Sequence, residues 1–166
     1  MKDKIIKILS VTLLILSLVG CSFGGSKQSA ASSHDDEIEY NGVIVSINDE
    51  NMDNVFAAFG EPENTEGDRP GYYYTFDSGL VGVSSNIINE IDEESRQEYP
   101  DLISIRDENI KTSKGIHVGS SEDEVKAAYG DTDVISFNGM NVLNYTFDDF
   151  TLVFVIEGAV TEIQYM

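Results

Sequence analysis

Val55-Phe56-Ala57-Ala58-Phe59-Gly60 returns seventy residues later as Val125-Lys126-Ala127-Ala128-Tyr129-Gly130. Each copy puts apolar residues at helical spacing and then stops at a glycine. Two further matches flank this pair. Tyr74-Thr75-Phe76-Asp77 reappears as Tyr145-Thr146-Phe147-Asp148 at an offset of 71, and Gly42-Val43-Ile44-Val45 is answered by Gly115-Ile116-His117-Val118 at 73. Three matches in one order at nearly constant spacing predict a tandem repeat.

The local chemistry of each copy predicts the same elements. In the second, Ser120 and Ser121 are N-cap candidates with Asp123 and Glu124 as capping-box partners, so a helix should run over residues 122–129 until Gly130 stops it. In the first, Met52, Val55, Phe56 and Phe59 form one apolar face, Asn51 or Asp49 caps it, Gly60 ends it and Pro62 prevents resumption. Helices this short need a sheet to pack on. Strands are predicted over residues 72–77 and 80–83, 142–147, 151–156 and 160–165, joined by tight turns at Ser78-Gly79, Asp148-Asp149 and Glu157-Gly158. A further strand over 102–106 follows an insertion, residues 89–100, that reads as an exposed acidic helix ended by Pro100. The predicted class is therefore α+β: a short helix followed by an antiparallel three-stranded meander, twice, as repeat 1 over 40–111 and repeat 2 over 112–166. These should make one compact unit.

A helix ending in glycine, then a meander, in tandem, resembles the fold shared by beta-lactamase inhibitory proteins and the small outer-membrane assembly lipoproteins. The segment from Thr112-Ser113-Lys114-Gly115 to Gly119-Ser120-Ser121 also resembles surface lipoproteins of Gram-positive bacteria. The resemblance implies that fold and a tendency towards protein binding, and it carries over no inhibitory or assembly residues.

Upstream, Lys2, Lys4 and Lys7 precede an apolar run from Ile8 to Val19. Twelve helical residues span about 18 Å, short of a ~30 Å hydrocarbon core, so the run reads as an export signal over 1–20 rather than a membrane span. Its end, Leu18-Val19-Gly20-Cys21, resembles a bacterial lipobox. That resemblance implies cleavage between Gly20 and Cys21 and a diacylglyceryl thioether on Cys21, often with an acylated amine. Such a palmitate-type anchor would hold the protein to the cell membrane on the extracytoplasmic side, because two or more chains anchor stably. The competing reading is an ordinary free thiol after a conventional signal. Cys21 is the only cysteine, so no intramolecular disulfide can form. Residues 21–39, rich in Gly, Ser, Ala, Gln and acids, read as a flexible tether reaching roughly 20–25 Å, with His34 solvated in it.

The chain has 10 Lys+Arg against 30 Asp+Glu. Without the leader's Lys2, Lys4, Lys7 and Asp3, 7 cations face 29 carboxylates and the net charge becomes −22. This argues against nucleic acid or close contact with anionic lipid, and permits cationic partners or diffuse calcium. No catalytic constellation is apparent. His117, placed in a short predicted strand, has no cysteine or second histidine near it in sequence, which removes zinc and Cys–His chemistry. Asp49-Glu50-Asn51-Met52-Asp53 departs from a calcium loop at Asn54 and Gly60, where Gly and Glu are needed. No phosphate-cradling glycine loop, cofactor or metal site is expected. Among the aromatics, Tyr73 should face away from Tyr72 and Tyr74. That face is either an open protein-binding surface or the seam along which two sheets pack. The expected function is a non-catalytic, lipid-anchored module binding an envelope or secreted protein. The alternative is an extracellular calcium or small-ligand sensor.

Overall fold

A computed structural model describes residues 34–67, 71–88, 97–137 and 139–166. The leader, Cys21 and most of the tether lie outside the described residues. Folded chain begins earlier than the predicted tether allows. Strand β1 is Glu37–Tyr40 and pairs with β2, Val43–Ser46, in a two-stranded antiparallel sheet. Asp35, two residues before β1, is fully buried. Its carboxylate accepts from Ser113 Oγ at 2.7 Å and pairs with Lys114 Nζ at 3.1 Å. That ion pair fastens the N-terminal segment to the middle of the chain, so residues 34–39 belong to the body rather than to the spacer.

Helix α1, Asp53–Phe59, and helix α2, Glu122–Tyr129, fall where the spacing places them. Helix α2 is fully boxed: Ser121 Oγ accepts from the Glu124 backbone N–H, and the Glu124 carboxylate accepts from the Ser121 N–H. At α1 the cap position is Met52, with Asn51 Oδ1 accepting from the Asp53 N–H at 2.9 Å. Gly60 and Gly130 close the two helices at positive φ, 81° and 93°, a region costly for any residue with a Cβ.

The predicted α+β class is overturned. The molecule is mostly β: β3 (Asn64–Glu66), β4 (Tyr73–Phe76), β5 (Val81–Ile88), β6 (Gln97–Ile105), β7 (Val134–Phe137), β8 (Met140–Thr146), β9 (Thr151–Glu157) and β10 (Ala159–Tyr165) form one eight-stranded antiparallel sheet. Its order is β3-β4-β5-β6-β10-β9-β8-β7. Two separate three-stranded meanders do not exist, because β6 and β10 pair directly through Ile105↔Ile163, Ser104↔Gln164 and Ile103↔Tyr165. The short edge strands β3 and β7 carry too little alternating pattern to announce themselves. The Gly42–Val45 match also fails. Val43 to Val45 lie in β2, whereas Ile116 and His117 are in no strand. His117 Nδ1 lies 2.8 Å from its neighbour's carbonyl, Val118 O. Pro100 ends no helix. It lies inside β6 opposite Ser85, at an irregularity where a strand tolerates proline. Residues 89–96 of the supposed acidic helix lie outside the described residues.

One row of directly paired residues crosses the sheet: Tyr74, Val83, Ile103, Tyr165, Leu152 and Tyr145. All six are buried. Phe56 of α1 meets Tyr74 edge-on at 5.4 Å, and Tyr129 of α2 meets Tyr145 at 5.3 Å. Both helices therefore sit on the same face, and Ile38 and Val45 of the small sheet join that core. Burying each such aliphatic or aromatic side chain contributes about 1.5–3 kcal/mol. The adjacent row, Thr75, Gly82, Ser104, Gln164, Val153 and Asn144, points to the opposite face.

Candidate functional site: an acidic groove beside the open sheet face

Tyr73 lies on the second face, as the alternation predicts. It pairs with Ser84, and its ring crosses Gly82 so closely that a Cβ there would stand 2.0 Å from the tyrosine Oη. Tyr72 and Tyr74 turn the other way, with ring centroids 6.1 Å apart. The Tyr74 hydroxyl donates to Glu98 Oε2 at 2.9 Å. Burial, and then the neighbouring carboxylate, raise the pKa of that phenol well above normal, so it stays protonated. On the other half, Tyr145 donates to Gly130 O at 2.9 Å and burial pushes its pKa up to about 12. Neither phenol is available as an acid–base group near neutral pH. Among the described residues, no group of three or more His, Cys, Asp or Glu side chains is arranged to hold a metal ion.

Two clefts share one lining residue, Asp101. Tyr73 lines one of about 480 Å³ with Glu66, Tyr72, Ser84, Asn86 and Asp101. The larger, about 630 Å³, is walled by Ile47, Ile88, Tyr99, Pro100 and Met166 and bordered by the carboxylates Asp49, Glu50, Asp101 and Asp149. Ile88 and Met166 are 45% and 47% exposed. Gln97 Nε2 donates to Glu50 O at 2.8 Å, tying the loop after β2 to the start of β6 across the groove. Met166 and Thr151 exchange backbone hydrogen bonds at 2.7 and 3.0 Å, which holds the opposite wall.

Asp101 belongs to both clefts, and the ladder explains why. Pairing passes from Ser84↔Leu102 to Ser85↔Pro100, so β6 has one residue more than β5 and Asp101 is the extra one. A bulge of this kind leaves its residue outside the ladder and re-aims the side chain. The sequence reading placed Asp49 at a helix cap and Asp148-Asp149 in a turn, and missed the groove. Asp49 does serve locally, accepting from the Ser46 N–H at 3.1 Å and from Asn54 Nδ2 at 3.2 Å. Asp149 accepts from Asn48 Nδ2 at 3.3 Å. The available signal was Ile88, an apolar residue at the head of an acidic run.

These features define a mostly-β domain with both helices on one sheet face and an apolar, acid-rimmed groove at the border of the other. The chain belongs to the DUF4309 family, a domain of unknown function, whose model matches residues 36–166. It is similar to a solved DUF4309 family protein (YjgB) from Bacillus subtilis subsp. subtilis str. 168, at 20% identity over 72% of this chain and 80% of that one, with a TM-score of 0.43. No curated protein matches it.

Proposed function

We propose that this chain is a lipid-anchored, non-catalytic binding module displayed on the extracytoplasmic side of the cell membrane, and that its folded body captures a segment of another protein. The groove lined by Ile47, Ile88, Tyr99 and Met166 is the observation that carries the reading. Ile88 and Met166 are exposed within one groove, and exposed apolar side chains grouped in a cleft mark interaction sites. The lipobox-like Leu18-Val19-Gly20-Cys21 supports the anchor. On this reading residues 1–20 are removed, the lipid sits on Cys21, and the stretch before His34 spaces the body from the bilayer. No helix among the described residues is long and apolar enough to cross a membrane.

Two measurements test it. Intact mass and fatty-acid labelling of the membrane-extracted protein should show acyl chains that Cys21→Ala abolishes; an unmodified thiol would overturn the anchor. A photo-crosslinking residue at Ile88 in cells should trap a discrete protein adduct that the same probe at Ile44, outside the groove, does not. Equal adducts from both positions, or none from either, would overturn the groove as a binding site.

A further inference from the structure

We propose that the groove takes a short extended segment carrying arginine between apolar residues; this rests on the binding reading above and names its ligand class. The argument is complementarity. Of the apolar walls, Ile88 and Met166 are exposed and Tyr99 is half-buried, which matches apolar side chains entering from solvent. Among the described residues that line it, the charged groups are four carboxylates, Asp49, Glu50, Asp101 and Asp149. Elsewhere the described cations are largely committed: Arg106 to Glu162, Lys114 to Asp35 and Lys126 to Glu122. Among the described residues, no cation lines the groove to offset these four carboxylates.

Asp101 sharpens the selection. The β6 bulge takes it out of the ladder and places its carboxylate where the two clefts join. Among the described residues it has no ion-pair partner. A guanidinium suits this position better than an ammonium: it is planar, weakly hydrated, able to stack on Tyr99 and able to engage a carboxylate through two N–H groups. An acidic or phosphorylated segment would meet four like charges and be rejected. A volume of about 630 Å³ lies within the range of ligand-sized clefts and accommodates a few side chains. The chain's net charge of −20 draws such a segment in from a distance, so association should fall steeply with ionic strength.

The test uses the full-length protein in nanodiscs and three fluorescent peptides: acetyl-Leu-Arg-Leu-Arg-Leu-amide, the same peptide with citrulline for arginine, and the same with glutamate. The arginine peptide should bind, and the citrulline peptide, which keeps the shape and loses the charge, should bind at least about tenfold more weakly. Asp101→Asn combined with Asp149→Asn should cost a similar factor at an unchanged melting temperature. Glu37→Gln, in a different cleft lined by Glu39, Lys111 and His34 as well, should leave binding intact. Equal binding of arginine and citrulline peptides, no binding of the arginine peptide up to millimolar concentration, or an equal loss in Glu37→Gln would each overturn the proposal. So would displacement of the arginine peptide by millimolar calcium at constant ionic strength, which would assign the carboxylates to a cation. If the Ile88 probe traps a partner in cells while the arginine peptide fails to bind, the ligand class falls and the binding reading stands.

Discussion

Tyr73 and Gly82 show how far single residues could be read. Alternation assigned Tyr73 to the face away from Tyr72 and Tyr74, and the ring is there. What it rests on was invisible, because a glycine contributes no side chain to any pattern. The two glycines of this corner should respond differently to alanine. At Gly82 the added Cβ meets the far end of the Tyr73 side chain, which can swing away; at Gly71 it would stand 1.9 Å from the Ser85 carbonyl oxygen, which is fixed backbone. Gly71→Ala should therefore cost about 3 kcal/mol or more in chemical denaturation, and Gly82→Ala under ~1 kcal/mol. In a Tyr73→Ala background Gly82→Ala should become neutral or stabilising; equal costs in both backgrounds would mean that the ring does not depend on that space. Asp35 is the opposite case. In sequence it is one acid in a polar tail, and nothing local announces that Lys114 and Ser113, nearly eighty residues on, will bury it. Asp35→Ala should lower stability by on the order of 3 kcal/mol, since it strands a partly buried ammonium. A loss below ~0.5 kcal/mol would return residues 34–39 to the spacer.

The elements sort by where their information lies. Helix α2 was legible to the residue because caps are local chemistry: Ser121, Glu124 and Gly130 write both ends. Ser121→Ala should cost about 1 kcal/mol, and Ser121→Asp should recover most of it. Strands β8, β9 and β10 were legible too, since tight turns at Asp148-Asp149 and Glu157-Gly158 join them in sequence. The pairing of β6 with β10 was not, because it joins distant segments and no turn sets its register. That seam has an electrostatic signature on the outer face. Glu162 of β10 accepts from Ser104 Oγ at 2.7 Å, Gln164 Nε2 at 2.6 Å and Arg106 Nη2 at 2.9 Å. Burial works to raise its carboxyl pKa, but the hydrogen bonds from Gln164 and Ser104, with the Arg106 charge, outweigh it and hold the pKa below the ordinary 4.5. A depressed folded-state pKa means that ionised Glu162 contributes stability above pH 4.5, and that the contribution disappears as pH falls through the lowered value. Glu162→Gln should accordingly destabilise at pH 7 and show a shallower loss of stability than wild type on acidification. Parallel pH–stability curves would place the acid sensitivity elsewhere.

At the scale of the whole molecule the question is whether one sheet means one cooperative unit. The sequence's internal matches suggested two repeats of like construction within one compact unit, and their helices do fall in matching places. Yet the pattern could not show that the body of the fold is the junction between them. Ile103, Ile105, Ile163 and Tyr165 meet where β6 and β10 pair, and all four are at most 1% exposed. Asp35 and Lys114 add a second tie between the N-terminal segment and the chain leading into α2. If those contacts are the centre of one core, neither half can unfold while the other stays intact. Ile163→Ala should cost about 2–5 kcal/mol by leaving a cavity with no element free to close it. The loss should appear as a shift of a single denaturant midpoint, with tyrosine fluorescence and far-ultraviolet circular dichroism moving together and the slope unchanged. A chain of two adjoining domains would behave otherwise. The same substitution would then split the curve in two, with hydrogen exchange in β3 to β5 protected as strongly as before while β7 to β9 exchanged freely. Coincident transitions would also bear on the groove. Its lining comes from β5, β6, the loop after β2, the turn between β8 and β9 and the residue after β10, so a single unit holds them in one arrangement.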